Sequence, residues 1–384
     1  MMTAVTPTRT VPILNLTRQY DALQSELEAA ALSVLRSGNY VLGPEVQAFE
    51  QAMAERCQTQ HAIGVANGTD SLYLALLAFG IGPGDEVITT CMSYIATSEV
   101  IERVGATPIF VDVVNDGTYL MDIDACEQAI TPCTKAIIPV HLFGQAVDME
   151  RLMAVANRHG LKVIEDCAQA VDATWQGKPV GGWGHVGSFS FFPSKNLGGF
   201  GDGGLLTCND TALAQQLRTR RVHGQTATYD HTYAGMNSRL DTLQAALLHV
   251  KLPHLHQWAK QRATHAEAYN QAFAHNPWLR LPTVAPKAAS VYNQYTLTLQ
   301  PEAPFTRDTL VQTLNARGVG SRVYYPIPLH LQGVHQHLGY TTGSFLIGED
   351  LANRVFSLPV FPEMTEAERT YVIDVVLECL QHGQ

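Results

Sequence analysis

Residues 135–167 read KAIIPVHLFGQAVDMERLMAVANRHGLKVIEDC. A short β-branched run, KAIIPVH, passes into a helical pattern, DMERLMAVANRHG, and then into a second run, LKVIEDC. Two extended runs joined by a helix describe two parallel strands and their crossover. Towards the N-terminus the same alternation repeats: HAIGVA then SLYLALLAFG, EVITT then ATSEVIERVG, TPIFVDV then IDACEQAI. Such a series, beginning near residue 60, predicts an α/β fold with a mainly parallel sheet covered by helices on both faces.

A long helical stretch over roughly 238–275 follows, and the Pro-bearing segment NPWLRLPTVAP then marks a change of architecture. Beyond it, YNQYTLTL, a helix near 307–317, GVGSRVYY and a last helix near 365–381 suit a smaller α+β unit. The reading divides the chain into residues 1–255, an N-terminal arm with the large domain, and residues 256–384, a small C-terminal domain. A length of 384 residues accommodates both.

Composition narrows the function. A net charge of -10 disfavours nucleic acid as a partner, since backbone binding needs clustered Lys and Arg. The start, MMTAVTPTRT, lacks an apolar signal core, and no apolar run approaches the ~18 residues that cross a bilayer, so the expectation is a cytoplasmic protein without membrane attachment. Seven cysteines form no CxxC pair and are odd in number, which argues against a disulfide framework and a zinc site. The histidines of HGQTATYDHTY match no metal template, and no metal is expected.

In open α/β sheets ligands bind beyond the carboxyl ends of the strands, and three motifs fall there. In VANGTDSLYLALLAFG, a strand gives way to a helix through Asn67, Gly68, Thr69 and Asp70. Small residues at a helix start expose amides to a phosphate, while Thr69 or Asp70 as a plain cap is the competing reading. KVIEDCAQA delivers Glu165 and Asp166 at a strand end, with Gln169 three residues on. A carboxylate there either caps the next helix or holds a cationic ring nitrogen such as the pyridinium of pyridoxal phosphate. In SFSFFPSKNLGGFGDGG, residues 188–204, Lys195 is the only formally charged side chain between Lys178 and Asp202. Desolvation makes amines nucleophilic near neutral pH, as in Schiff-base lysines. Ser190 lies upstream with a hydroxyl suited to a phosphate, and the glycines allow close backbone approach to a ligand.

The motifs NGTDSL, EDCAQA, FSFFPSKNLGGFGDGG, MNSRLDTLQAALL and YYPIPLH resemble the DegT/DnrJ/EryC1/StrS sugar aminotransferases from about residue 11 to the C-terminus. The resemblance implies the fold type I (aspartate-aminotransferase-like) architecture, pyridoxal 5′-phosphate as cofactor and a homodimer with shared active sites. It implies that Lys195 forms the Schiff base and moves the proton, Asp166 pairs with the ring nitrogen, and Gln169 contacts the ring hydroxyl region. Gly68, Thr69 and Ser190 would meet the phosphate, with Asn237 reaching across from a second subunit. Tyr94, in CMSYIATSE, would stack on the ring. Arg239 would take the carboxylate of L-glutamate, again across the dimer. Tyr324, Tyr325 and His330 would form the sugar-side wall. Tyr324 stands where many relatives carry histidine, which touches the details of sugar contact. Asn39 and Tyr40, in SGNYVLGPEV, either line the pocket or shape a helix entry.

The implied reaction moves the amino group of glutamate to a keto group of a nucleotide-linked sugar, with C3 favoured over C4. Rival readings are a pyridoxal-phosphate-dependent sugar dehydratase, whose known members replace the lysine with histidine, and a non-catalytic cofactor-binding regulatory protein. A cysteine desulfurase is a further rival and needs a mobile reactive cysteine.

Overall fold

The computed structural model describes residues 9–382. Residues 1–8, most of the stretch read above for a signal core, lie outside them. Seven strands build the large sheet: β1 (His61–Val65), β2 (Glu86–Thr90), β3 (Thr107–Val111), β4 (Thr134–Ile138), β5 (Lys162–Asp166), β6 (Val186–Ser190) and β7 (Gly204–Cys208), in the order β1-β7-β6-β5-β4-β2-β3. The five strands from β6 to β3 are mutually parallel, and β7 alone runs against its neighbours. Every strand of the expected β/α series is present.

Side chains of consecutive strand residues leave on opposite faces, so each strand feeds two cores. Ile88, Ile137, Val163 and Leu205 enter one core, while Val87, Ile138, Ile164 and Leu206 enter the other. The first core lies under α2 (Pro44–Arg56) and α6 (Met149–His159), and the second under α3 (Gly68–Ala78), α4 (Ala96–Arg103) and α7 (Thr211–Arg220). Burial on both faces explains why these strands carry almost no polar residues except at their ends.

Local signals fix the helix limits. Asp148 accepts from the Arg151 amide at the start of α6, and Gly160 ends it at φ 67°. Asn67 accepts from the Asp70 amide at 2.7 Å and so starts α3 at the tip of β1. The stretch expected as one long helix is two, α8 (Thr242–Lys251) and α9 (Leu255–Phe273), with a 3₁₀ turn at Leu252–His254 between them. Pro253 has no amide hydrogen to continue the ladder, so the break is chemical.

A third core gathers Tyr269, Phe273, Tyr295, Leu297, Phe356 and Val376. It covers a three-stranded antiparallel sheet of β8 (Leu279–Arg280), β9 (Tyr295–Leu299) and β10 (Val355–Leu358), packed by α10 (Arg307–Ala316) and α12 (Glu366–His382). GVGSRVYY forms bridges rather than a strand: Val319 pairs with Val11 and Arg322 with Ser357. No helix among the described residues is long and apolar enough to cross a membrane.

Candidate active site

β1, β2, β5 and β6 end around one cavity of about 670 Å³, lined by residues that include Gly68, Tyr94, Asp166, Ser190 and Lys195. Asp166 is the last residue of β5 and is 5 % exposed. Its Oδ1 accepts from the Ala168 amide at 3.1 Å and its Oδ2 from the Thr97 hydroxyl at 2.9 Å. Burial pushes this carboxyl above its ordinary value, against the pull of the Ala168 amide, the Thr97 hydroxyl and the Lys195 charge. A cationic N–H placed beside it would relieve that desolvation.

Glu165, one residue earlier, points to the opposite face. It accepts from the amides of Gly181, Trp183 and Gly184 at 2.7–2.8 Å and from His141 Nε2 at 3.1 Å. His141 Nδ1 accepts from the Val147 amide, which leaves Nε2 as the donor. Glu165 and His141 lie close to Cys167 in the manner of a metal cluster, but the carboxylate is already filled by hydrogen bonds.

Lys195 sits in a turn after β6, where its amide donates to the Phe192 carbonyl at 2.8 Å. The turn is pinned on three sides. Gly199 N donates to Phe191 O at 2.7 Å, Asn196 Nδ2 to Val291 O at 3.0 Å, and Phe200 N to Gln244 Oε1 at 2.8 Å. Lys251, buried under the turn, donates to the Gly198 carbonyl. Burial lowers the pKa of the Lys195 amine, and the Asp166 charge works against that shift. The amine is thus half-hidden, close to an acid and easier to deprotonate than an ordinary lysine.

The third group is the cradle at the start of α3. The first amides of a helix have no intrahelical acceptor, and here Gly68 and Thr69, the first two residues of α3, line the cavity with Ser190. A Cβ on Gly68 would stand 2.7 Å from Ser190 Cβ. One on Gly204, which pairs with Ser190 across β6 and β7, would stand 2.3 Å from the Asn67 carbonyl. Both glycines exist because backbone and hydroxyl must approach this closely. An amide pair at a helix start, a hydroxyl, an amine and a buried carboxylate fit the phosphate, carbonyl and ring nitrogen of pyridoxal phosphate.

Gln169 also lines the cavity, though both ends of its amide are engaged: Oε1 accepts from the Phe143 amide at 2.8 Å and Nε2 donates to the Tyr325 hydroxyl at 2.9 Å. Tyr94 is 58 % exposed and leans on Tyr325, ring centres 6.3 Å apart. Tyr324 lines the rim. Asn237 and Arg239 lie outside the cavity of their own chain: Asn237 is exposed and bridged to Val222, and Arg239 is half-buried. Asn39 and Tyr40 are exposed and outside it too.

His330 is not among the residues lining the cavity: it is 1 % exposed, bonded to Glu349 at 3.0 Å and packed edge-on against Phe345 at 4.7 Å. The 3₁₀ turn Leu329–Leu331 faces inward, and burial lowers the pKa of the ring. Thr97, Asp202 and Gln294 line the cavity without having been singled out in the sequence. For Thr97 the signal was there, a hydroxyl in the first turn of the helix that follows Tyr94.

The DegT/DnrJ/EryC1/StrS aminotransferase family matches residues 21–377. A "Pleiotropic regulatory protein" of Geobacillus stearothermophilus is 45 % identical, over 97 % of this chain and 99 % of its own. A UDP-N-acetyl-3-dehydro-alpha-D-glucosamine 3-aminotransferase of Acidithiobacillus ferrooxidans is 42 % identical, over 99 % of this chain and all of its own. Among solved structures, S. venezuelae DesV in complex with a ketimine intermediate superposes with a TM-score of 0.94 at 41 % identity, covering 98 % of this chain and all of that one. The chain therefore belongs to the DegT/DnrJ/EryC1/StrS aminotransferase family, whose cofactor is pyridoxal 5′-phosphate.

Proposed function

We propose that this enzyme, a pyridoxal-phosphate-dependent sugar aminotransferase by its family, takes the amino group of L-glutamate and delivers it to the C3 keto group of a nucleotide-linked sugar. The observation that carries the reading is one cavity holding the lowered Lys195 amine, the buried Asp166 carboxylate and the Gly68–Ser190 cradle. When bound, the cofactor supplies a carbonyl that carries nitrogen between substrates and a ring that accepts the electron pair released with a proton.

The chain does the rest. Lys195 would hold the cofactor's carbonyl carbon and, as a free amine, would take the proton from the donor's α-carbon and return it as general acid. Asp166, aimed by Thr97 and the Ala168 amide, would keep a proton on the ring nitrogen. Gly68, Thr69 and Ser190 would meet the phosphate, Tyr94 would cover one ring face, Gln169 would contact the ring hydroxyl region, and Tyr324 would border the substrate side; all of them line the cavity. The same residues run the second half in reverse, so donor and acceptor use one site in turn.

The reading includes a homodimer in which Asn237 and Arg239 serve the neighbouring copy. Exposed Tyr40, Val41 and Leu42 run beside Asp241, close in sequence to both residues, and give that segment an apolar flank suited to a second copy. Free cysteines throughout the chain agree with a cytoplasmic setting. C3 is favoured by the motif likeness and by the name of the Acidithiobacillus relative.

The relative bearing a regulatory name supports a second reading, a cofactor-binding regulator without turnover. The two part on one experiment. With L-glutamate the absorbance of the bound cofactor should change, and 3-keto nucleotide sugars should restore it. Restoration by 4-keto sugars alone would reject C3. No change with any amino donor would reject catalysis and leave the regulator.

A further inference from the structure

A second cavity, of about 290 Å³, opens off the first and shares Phe192, Ser194, Gln294 and Tyr324 with it. It lies between the residues before α1 (Leu16–Ser37), represented by Ile13 and Leu14, and the small sheet. The charges of the two spaces differ. The first is lined by Asp70, Asp166 and Asp202 against the single Lys195, whereas the second has Arg262 and Arg322 and no acidic residue.

Arg262 is spoken for. The residue is 5 % exposed, its guanidinium donates to the carbonyls of Tyr292 and Val360, and Glu363 offsets part of its charge. Arg322 differs. Its backbone is tied in both directions to Ser357, so the side chain is not needed to hold the strand, and it pairs with no acidic group among the described residues. The guanidinium stands beside the Tyr324 phenol on the border of the two cavities.

A second, independent sign of a ligand lies in the same wall. Asn293 is 9 % exposed and, among the described residues, its Oδ1 has no hydrogen-bond partner, while its Nδ2 donates to Gln294. A buried amide oxygen left open is costly unless something donates to it.

Resting on the aminotransferase reading, we propose that Arg322, with Asn293 beside it, forms an oxyanion subsite for the substrate: the guanidinium takes a carboxylate or phosphate, and Asn293 Oδ1 takes an adjacent N–H or O–H. The charge pattern sets the direction. An anionic group is repelled by the acids around Lys195 and drawn to the uncompensated guanidinium, so the reacting carbon stays over the lysine while the charged tail turns outward. A guanidinium fork suits either oxyanion. The donor's carboxylate and the nucleotide's phosphates are the two sources.

Calorimetry on the cofactor-loaded enzyme tests this without turnover. Glutarate stands for the donor, and uridine and thymidine diphosphates stand for the acceptor. In Arg322→Ala the Kd of at least one probe should rise roughly 10- to 100-fold, the loss expected for a charged hydrogen bond. Arg322→Lys should recover part of it, and Asn293→Asp should weaken the same probe by adding a like charge. The probe that responds identifies the source. Unchanged Kd values for all probes, or wild-type enzyme that binds none, would overturn the subsite. Amine transfer by wild type is followed separately by cofactor absorbance, so a chain that binds the probes but transfers nothing loses the catalytic reading and keeps the site.

Discussion

Glu165 and Asp166 are neighbours on β5, yet the first is closed off by three backbone amides and His141 while the second borders the lysine cavity. Their roles should separate cleanly. Asp166→Asn should lower amine transfer by roughly 10²-fold or more, the scale of losing one aimed charge, with little change in unfolding. Glu165→Gln should instead cost roughly 3 to 5 kcal/mol of stability, because buried donors lose their charged acceptor. Equal effects of the two changes on transfer and on urea unfolding would refute the division.

Lys195→Ala should reduce transfer by roughly 10²- to 10⁴-fold from the missing general base alone. Borohydride treatment of the loaded wild type should fix the cofactor on the peptide containing Lys195, and labelling of another lysine would reject the assignment. Because burial lowers this amine's pKa, cofactor uptake by the apoprotein should rise with pH and level off below the ordinary lysine value of 10.5. A plateau at or above it would contradict the desolvation.

Gly68→Ala puts a methyl group 2.7 Å from Ser190 Cβ. The resulting overpacking, about 1 to 3 kcal/mol, falls on the phosphate cradle, so cofactor affinity should drop roughly tenfold or more. Dialysis followed by absorbance reads this directly; full retention would mean the cradle holds no phosphate.

Asn237 and Arg239 are not among the residues lining their own cavity, which makes a shared site testable by mixing. Asn237→Ala and Lys195→Ala homodimers should each be weak, and co-refolded mixtures should regain activity through hybrids with one intact site. A mixture no more active than its parents would argue for self-contained subunits.

Lys251 holds the lysine turn through Gly198 and lies 5.3 Å over the Phe200 ring. Burial lowers its pKa to about 8. The folded state gives up this proton before the unfolded one, so the group favours folding at high pH and the advantage is lost as pH falls through about 8. Compared with Lys251→Met, wild type should gain up to ~1.4 kcal/mol per pH unit between about pH 8 and 10. Parallel stability curves would show that the amine is not desolvated.

Much of this was written in the chain order. Apolar runs alternating with helical patterns fix a parallel sheet because a buried strand and a crossover helix each need their own periodicity, and Lys195 drew attention as a lone charge among aromatics and glycines. The break between α8 and α9 is also carried by the sequence, in Pro253.

What the tertiary structure alone decided concerns direction and neighbourhood. Pleating sends Glu165 to the amides of Gly181–Gly184 and Asp166 to Thr97, a choice that depends on which face of β5 meets which loop. His330 turned inward because its 3₁₀ turn is packed by Phe345 and Glu349, residues that follow it in the chain and fold back over it. Arg322 became notable only when the strand at Ser357 held its backbone and left its charge beside a cavity without an acid. Periodicity is local and survives in one dimension, whereas the partner of a charge is set by chain segments that meet only on folding.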